Sequence, residues 1–226
     1  FGLAAPAFAL AAIAAAAVLL EPARSGPPAS LSQKYRELGT LVVRRELALA
    51  YAACLPVLLS LVAMYAALGP LLREEFGLGD TGVQLVRLAG LPAMLLAPFF
   101  GWLVGRFGPV RVSVAGYLLA AAGLAIQAMS AAALWALVIA STVFVAGIAA
   151  IVPAVIALVG SRARSARAGA LGLTGLVVFI GASCGPLVAE LPLGFTGLLL
   201  GLAALLVVGA ALVAMSGRQT ADVGAV

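Results

Sequence analysis

Long apolar blocks alternate with short polar or charged intervals along this chain. Seven blocks can be drawn, over about 1–20, 47–69, 82–104, 112–130, 133–159, 168–189 and 193–216. Each is near the roughly 20 residues that a helix needs to cross the hydrocarbon of a bilayer. At about 1.5 Å of rise per residue the stretch 112–159 is too long for one crossing, and a short turn near Ser130 divides it. The blocks are rich in Ala and Leu and poor in aromatic residues, and they lack the two-residue alternation of a barrel strand. Hydrocarbon offers the backbone no outside hydrogen-bond partner, so the pattern predicts helices. The predicted fold class is an all-α membrane protein, a multi-pass helical bundle of about seven transmembrane helices.

Composition agrees with this reading. Hydrophobic residues make up 65% of the 226 and charged residues 9%, with a mean hydropathy of +1.22. Soluble domains carry about a quarter charged residues, so there is too little polar surface here to cover a water-soluble globule. The net charge of +5 does not point to nucleic acid, because the basic residues are few and sit between apolar blocks.

The charges sort by loop. One set of intervals holds Arg24, Lys34, Arg36, Arg44, Arg45, Arg106, Arg111, Arg162, Arg164, Arg167 and Arg218; the other holds Arg73, Glu74, Glu75, Asp80 and Glu190. The two sets alternate through all seven helices. The positive-inside rule predicts a cell inner-membrane protein with the first set, and the C-terminus, in the cytoplasm.

Several chemistries are excluded. There is no histidine, which removes imidazole metal sites, a histidine proton relay and a Ser-His-Asp triad. Lys34, the only lysine, lies in a polar interval, so no intramembrane Schiff base can form. Cys54 and Cys184 fall inside apolar blocks and read as buried thiols. No glycine-rich phosphate loop is present. The chain is therefore expected to be no enzyme and to need no cofactor or metal.

The chain opens FGLAAPAFAL, without methionine and without the basic start of a signal peptide. It reads as part of something longer. Residues 1–20 would be a transmembrane helix of a preceding half, 21–46 a cytoplasmic central linker, 47–216 a six-helix bundle and 217–226 a cytoplasmic tail. Within the linker, EPARSGPPAS is a Pro/Gly/Ser segment. Leu31, Tyr35, Leu38 and Val42 follow at helical spacing, which fits either an amphipathic surface helix or a solvated loop.

The most patterned interval is GWLVGRFGPVRV, between the third and fourth blocks. Gly101, Arg106, Gly108 and Arg111 match Gly-x-x-x-(acidic)-Arg-x-Gly-x-x-Arg, and Gly105 stands where the acidic residue belongs. This interval resembles the signature loop of the major facilitator superfamily, which occurs once in each six-helix half. The departures resemble the second copy, after the eighth helix. RAGALGL and GASCGP later in the chain resemble the superfamily's loop before the eleventh helix and that helix itself. The resemblance implies a sixth helix, central loop and C-terminal half, closest in style to drug or metabolite exporters.

Gly181, Gly185 and Pro186 form a Gly-x-x-x-Gly-Pro run, and Gly101 and Gly105 share its spacing. Such small residues let helices approach closely. In drug exporters this run marks antiport when it lies in the fifth helix. Here it lies in the position of the eleventh, so it does not diagnose antiport. An efflux antiporter remains the reading by style alone.

The resemblance also implies alternating access about a site near the membrane midplane, with a small-molecule substrate and the N-terminal half as partner. Arg106 and Arg111 then either anchor topology or pack and release the cytoplasmic helix ends. Arg87, about five residues into the third block, is the one ionisable group inside the membrane. Either it contacts an anionic or polar substrate, with Gln84 a turn earlier, or it reaches the outer headgroups. Ser60, Tyr65, Ser141, Thr142, Thr174 and Phe179 fall on helices that the resemblance places around the cavity. Ordinary helix packing competes with that role for each. Gln127 falls on a helix expected to be peripheral and is set aside. No carboxylate lies mid-helix, so a proton carrier belongs to the other half if transport is proton-coupled. Three rival readings stay open: a seven-helix receptor or sensor, a half-size subunit that needs a partner chain, and a truncated remnant without transport activity.

Overall fold

The structure is a computed structural model that describes residues 45–130, 132–163 and 166–223. The first apolar block, the central linker up to residue 44 and Arg164 lie outside the described residues, and the helix after the linker already begins at Arg45. The elements are helices in the order α1 (Arg45–Glu74), α2 (Asp80–Leu88), α3 (Leu91–Met94), α4 (Ala97–Phe107), α5 (Pro109–Met129), α6 (Leu134–Arg162), α7 (Arg167–Ala189) and α8 (Gly194–Val223). Among the described residues there is no strand. Six spans are long and apolar enough to cross a membrane, with α2, α3 and α4 counted together as one.

That composite span corrects the sequence reading, which drew one helix over 82–104. The chain leaves the helix at Ala89–Gly90 and again at Leu95–Leu96. Pro92 and Pro98 have no N–H to give to a preceding turn. The break is bridged by tighter bonds across three residues: Gly90 N–H to the Arg87 carbonyl, Ala93 N–H to Gly90, Leu95 N–H to Pro92 and Leu96 N–H to Ala93. The fourth and fifth blocks, by contrast, part at a short turn over 130–133, where Ser130 N–H bonds the Gln127 carbonyl and Ala133 N–H bonds Ser130.

In the bundle α1 lies against α7 and α8, α5 lies between α6 and α8, and the broken span lies along α6. Glycines set the closest approaches. A methyl group added at Gly123 of α5 would stand 2.6 Å from the Phe144 backbone nitrogen of α6. One added at Gly147 of α6 would stand 2.5 Å from the Ala120 nitrogen of α5. Gly181 of α7 sits against the Leu55 carbonyl of α1, and a methyl at Gly185 would lie 2.7 Å from Val62 Cβ. Gly101 and Gly105 face open space instead, and Pro186 is exposed.

The core has few polar ties. The Tyr117 hydroxyl of α5 donates to the Ala53 carbonyl of α1, and a methyl at Gly209 of α8 would meet the Tyr117 ring at 2.8 Å. One end of the bundle gathers basic residues. There Arg162 donates to the Ser216 carbonyl at 2.9 Å, Gly217 sits against Val110, and Gly160 sits against Arg167.

Because an added methyl has room at one glycine pair and none at the other, the two should separate in a stability assay. Gly181→Ala is expected to cost about 1–3 kcal/mol by overpacking, whereas Gly101→Ala leaves stability within about 0.5 kcal/mol. Unfolding of the purified protein in detergent, followed by tryptophan fluorescence, checks this. Equal effects at the two positions would contradict it.

Candidate functional site

The break in the second span borders a cavity. Gly90 is buried between α1 and α6, where a methyl would lie 2.7 Å from the Tyr65 hydroxyl and 3.2 Å from Val145 Cγ2. Only glycine lets this turn settle so close to both helices. The Ala89 carbonyl, freed at the end of α2, is reached at 3.4 Å by the Thr142 hydroxyl of α6. Beside the turn lies this cavity of about 470 Å³, which opens to the outside of the bundle and is lined by Leu61, Val62, Tyr65 and Ala66 of α1, then Arg87, Gly90, Met94 and Val145. That is the size range of small-molecule sites.

Arg87 closes one side of it. Its Nη2 donates to the Tyr65 carbonyl at 3.0 Å, while its Nε is buried without a partner. No carboxylate lies within 4 Å of it among the described residues, where the ion pair present is Arg73–Asp80 at 3.0 Å. The cavity therefore combines one guanidinium and one phenol with walls that are otherwise apolar.

A second cavity of about 250 Å³ lies between α1, α6 and α7. Thr174 and Cys54 are its polar members, and both are committed to their own helices: Thr174 to the Ala170 carbonyl at 2.9 Å, Cys54 to the Ala50 carbonyl at 3.1 Å. Nothing in its lining is left to orient a polar ligand.

The remaining candidates scatter. Ser60 is buried and donates to the Val57 carbonyl, and Thr142 donates to the Val138 carbonyl at 2.9 Å. Gln84 and Phe179 are exposed and line neither cavity. Ser141 is buried and takes part in a polar cluster that sequence reasoning missed. Gln127 Nε2 donates to Ser141 Oγ at 2.8 Å and approaches the Met64 sulfur at 3.8 Å, while its Oε1 is buried without a partner. The signal was available: a lone amide inside an apolar run must face protein rather than lipid.

The hairpin between α4 and α5 turns at Gly108, whose φ of +85° is costly for any residue with a side chain. Arg106 lies 5.7 Å from the ring centres of both Trp102 and Phe107, a cation–π arrangement. Arg106 and Arg111 are exposed, and neither pairs with a carboxylate among the described residues.

The sequence profile of the Major Facilitator Superfamily matches residues 60–223. The chain belongs to the major facilitator superfamily. No curated protein matches it. As a superfamily member it is a multi-pass membrane transporter of small molecules, and the match takes in the hairpin, Tyr65 and Arg87.

The contact between Gly90 and Tyr65 can be tested as a cycle. Gly90→Ala should cost about 1–3 kcal/mol through the clash with the hydroxyl. Tyr65→Phe removes the clashing atom, so the double variant should recover most of that loss. Thermal unfolding of the four proteins measures the coupling; purely additive effects would contradict the contact.

Proposed function

We propose that this transporter works by alternating access, as the C-terminal half of a longer protein whose N-terminal half completes the central site. The observation that carries this reading is the cavity beside Arg87 and Tyr65, polar at one side and apolar elsewhere, at a discontinuous span of a superfamily member. Discontinuous helices are where transporters build substrate sites. Two spans have little of their surface covered within this chain, which leaves apolar faces that lipid or a partner half can cover. In their most apolar windows only 12% of the composite span and 17% of α7 are buried, against 67% of α6.

In this reading Arg87 contacts the substrate, Tyr65 shapes the cavity, and the hairpin of Gly101, Gly105, Arg106, Gly108 and Arg111 packs the helix ends in one state and releases them in the other. With Gly in place of the acidic residue at 105, no charge latch operates in this copy. Export of a drug-like or metabolite solute across the inner membrane, with the basic end of the bundle in the cytoplasm, is the direction proposed. The carboxylate at the end of α7, Glu190, is exposed, so proton coupling is assigned to the other half.

A tag placed after Val226 in the native gene reports the mass of the natural polypeptide. A mass about twice the 22.5 kDa of this chain is expected. A mass near 22.5 kDa would overturn the single-polypeptide reading in favour of a partner subunit. In proteoliposomes holding the natural protein, solute flux should fall at least tenfold in Arg87→Gln while the protein stays folded. Unchanged flux would remove Arg87 from the site.

A further inference from the structure

Gly69 of α1 is the meeting point of two arginines. A methyl group built there would lie 3.0 Å from Arg87 Nη2 and 3.7 Å from Arg73 Nη1. The two nitrogens can be no further apart than those two distances laid end to end. Arg73 comes from the last turn of α1 and reads in the sequence as a loop charge. Its other terminal nitrogen, Nη2, is held by Asp80 at 3.0 Å. Glu74 and Glu75 are exposed, and neither pairs with either arginine within 4 Å.

Two guanidinium groups this close repel each other. Arg87 lies roughly 10 Å along the span from Asp80, at the rise of a helix, where an unpaired cation is costly. Its Nε is buried without an acceptor. Arg73 has one acceptor, on an exposed carboxylate, and Arg87 has a backbone carbonyl and no anion. An oxyanion bridging the terminal nitrogens of the two side chains would offset the repulsion, since guanidinium matches carboxylate and phosphate geometry. Apart from the Tyr65 phenol, the cavity that continues from Arg87 is walled by Leu61, Val62, Ala66, Met94 and Val145, which suits an apolar tail and no second charge.

We propose that Arg73 and Arg87 form an anion site over Gly69, and that the cavity beside it takes the apolar tail of an amphipathic oxyanion. This rests on the transporter reading only for its purpose, because the site itself is defined by binding. The same chemistry is offered by a soluble amphipathic carboxylate and by an anionic phospholipid of the adjacent leaflet.

The test uses the natural full-length protein in nanodiscs of zwitterionic lipid, with radiolabelled octanoate as probe and octylamine as its cationic counterpart. Octanoate is expected to bind above the level of empty discs, octylamine is not, and octanoate affinity should fall at least tenfold in both Arg87→Gln and Arg73→Gln. Arg87→Lys, which keeps the charge but not the fork, should lose less than Arg87→Gln. Discs enriched in phosphatidylglycerol should block octanoate if lipid is the natural occupant and leave it unchanged if the occupant is soluble. Equal binding of octanoate and octylamine, or wild-type octanoate binding in the two Gln variants, overturns the site. Arg73 is half-exposed and at a helix end, so its variant decides the matter should Arg87→Gln fail to fold. Binding without octanoate flux in proteoliposomes would strike the transport role and leave the site. Loss of binding with flux of other solutes intact would strike the site and leave the transport role.

Discussion

Backbone-to-backbone contact between helices is the constraint on which this structure depends. Lipid tails are as apolar as leucine, so burial of apolar side chains gives helices little reason to prefer each other over the bilayer. What remains is close van der Waals packing and a few hydrogen bonds. The chain supplies the first by placing glycine where helices cross: Gly123 against Phe144, Gly147 against Ala120, Gly181 against the Leu55 carbonyl, Gly185 against Val62. These contacts hold α5 to α6 and α7 to α1. The pair α1 and α6 then forms the wall against which the broken span can sit.

The polar groups follow from the same constraint. For a hydroxyl inside the membrane the nearest acceptor is a carbonyl of its own helix one turn back, although the buried Tyr51 and Ser113 hydroxyls have no partner among the described residues. Ser60, Thr142, Thr174, Ser183 and Ser216 all take that course. Bonds that instead cross between elements run from Tyr117 to Ala53, from Gln127 to Ser141, from Arg87 to the Tyr65 carbonyl and from Arg162 to the Ser216 carbonyl, with longer contacts of 3.4 Å from Thr142 to Ala89 and from Thr196 to Ala128. The shorter of these bonds belong to the longer side chains, and the two threonines cross only at 3.4 Å.

This explains what was legible in the sequence. The long apolar blocks gave the helices, since span length is fixed by bilayer thickness and needs no tertiary information. Arg87 stood out as the ionisable residue within a block. The break at 89–96 was hidden because hydropathy averages over Gly90, Pro92 and Pro98, although each marks a local stop. Gln127 was passed over because its helix was assigned to the periphery, whereas its own chemistry argued for a buried partner. Phe179 was grouped with the cavity from helix membership and Gln84 from its place one turn before Arg87, but which side of a helix faces inward depends on packing. Arg73 could not be recognised beside Arg87, because the two meet only when α1 and α2 fold back over Gly69.

The broken span and the cavity require each other. Non-helical backbone at membrane depth is tolerated only where protein buries it or where it lines a cavity. The turn at Ala89–Gly90 meets the first condition through Thr142 and the close seat against Tyr65 and Val145, and it meets the second because Gly90 and Met94 face the same space as Arg87. A continuous helix here would continue past Leu88 without bending the chain toward α1 and α6, and Arg87 would stand on a straight face instead of at the last turn before a bend. The cost of the interruption is thus localised at the one place where the membrane span carries a charge. The stretch 89–96 is held by three-residue bonds, and the cavity lined by Arg87, Gly90 and Met94 lies along that same stretch of backbone.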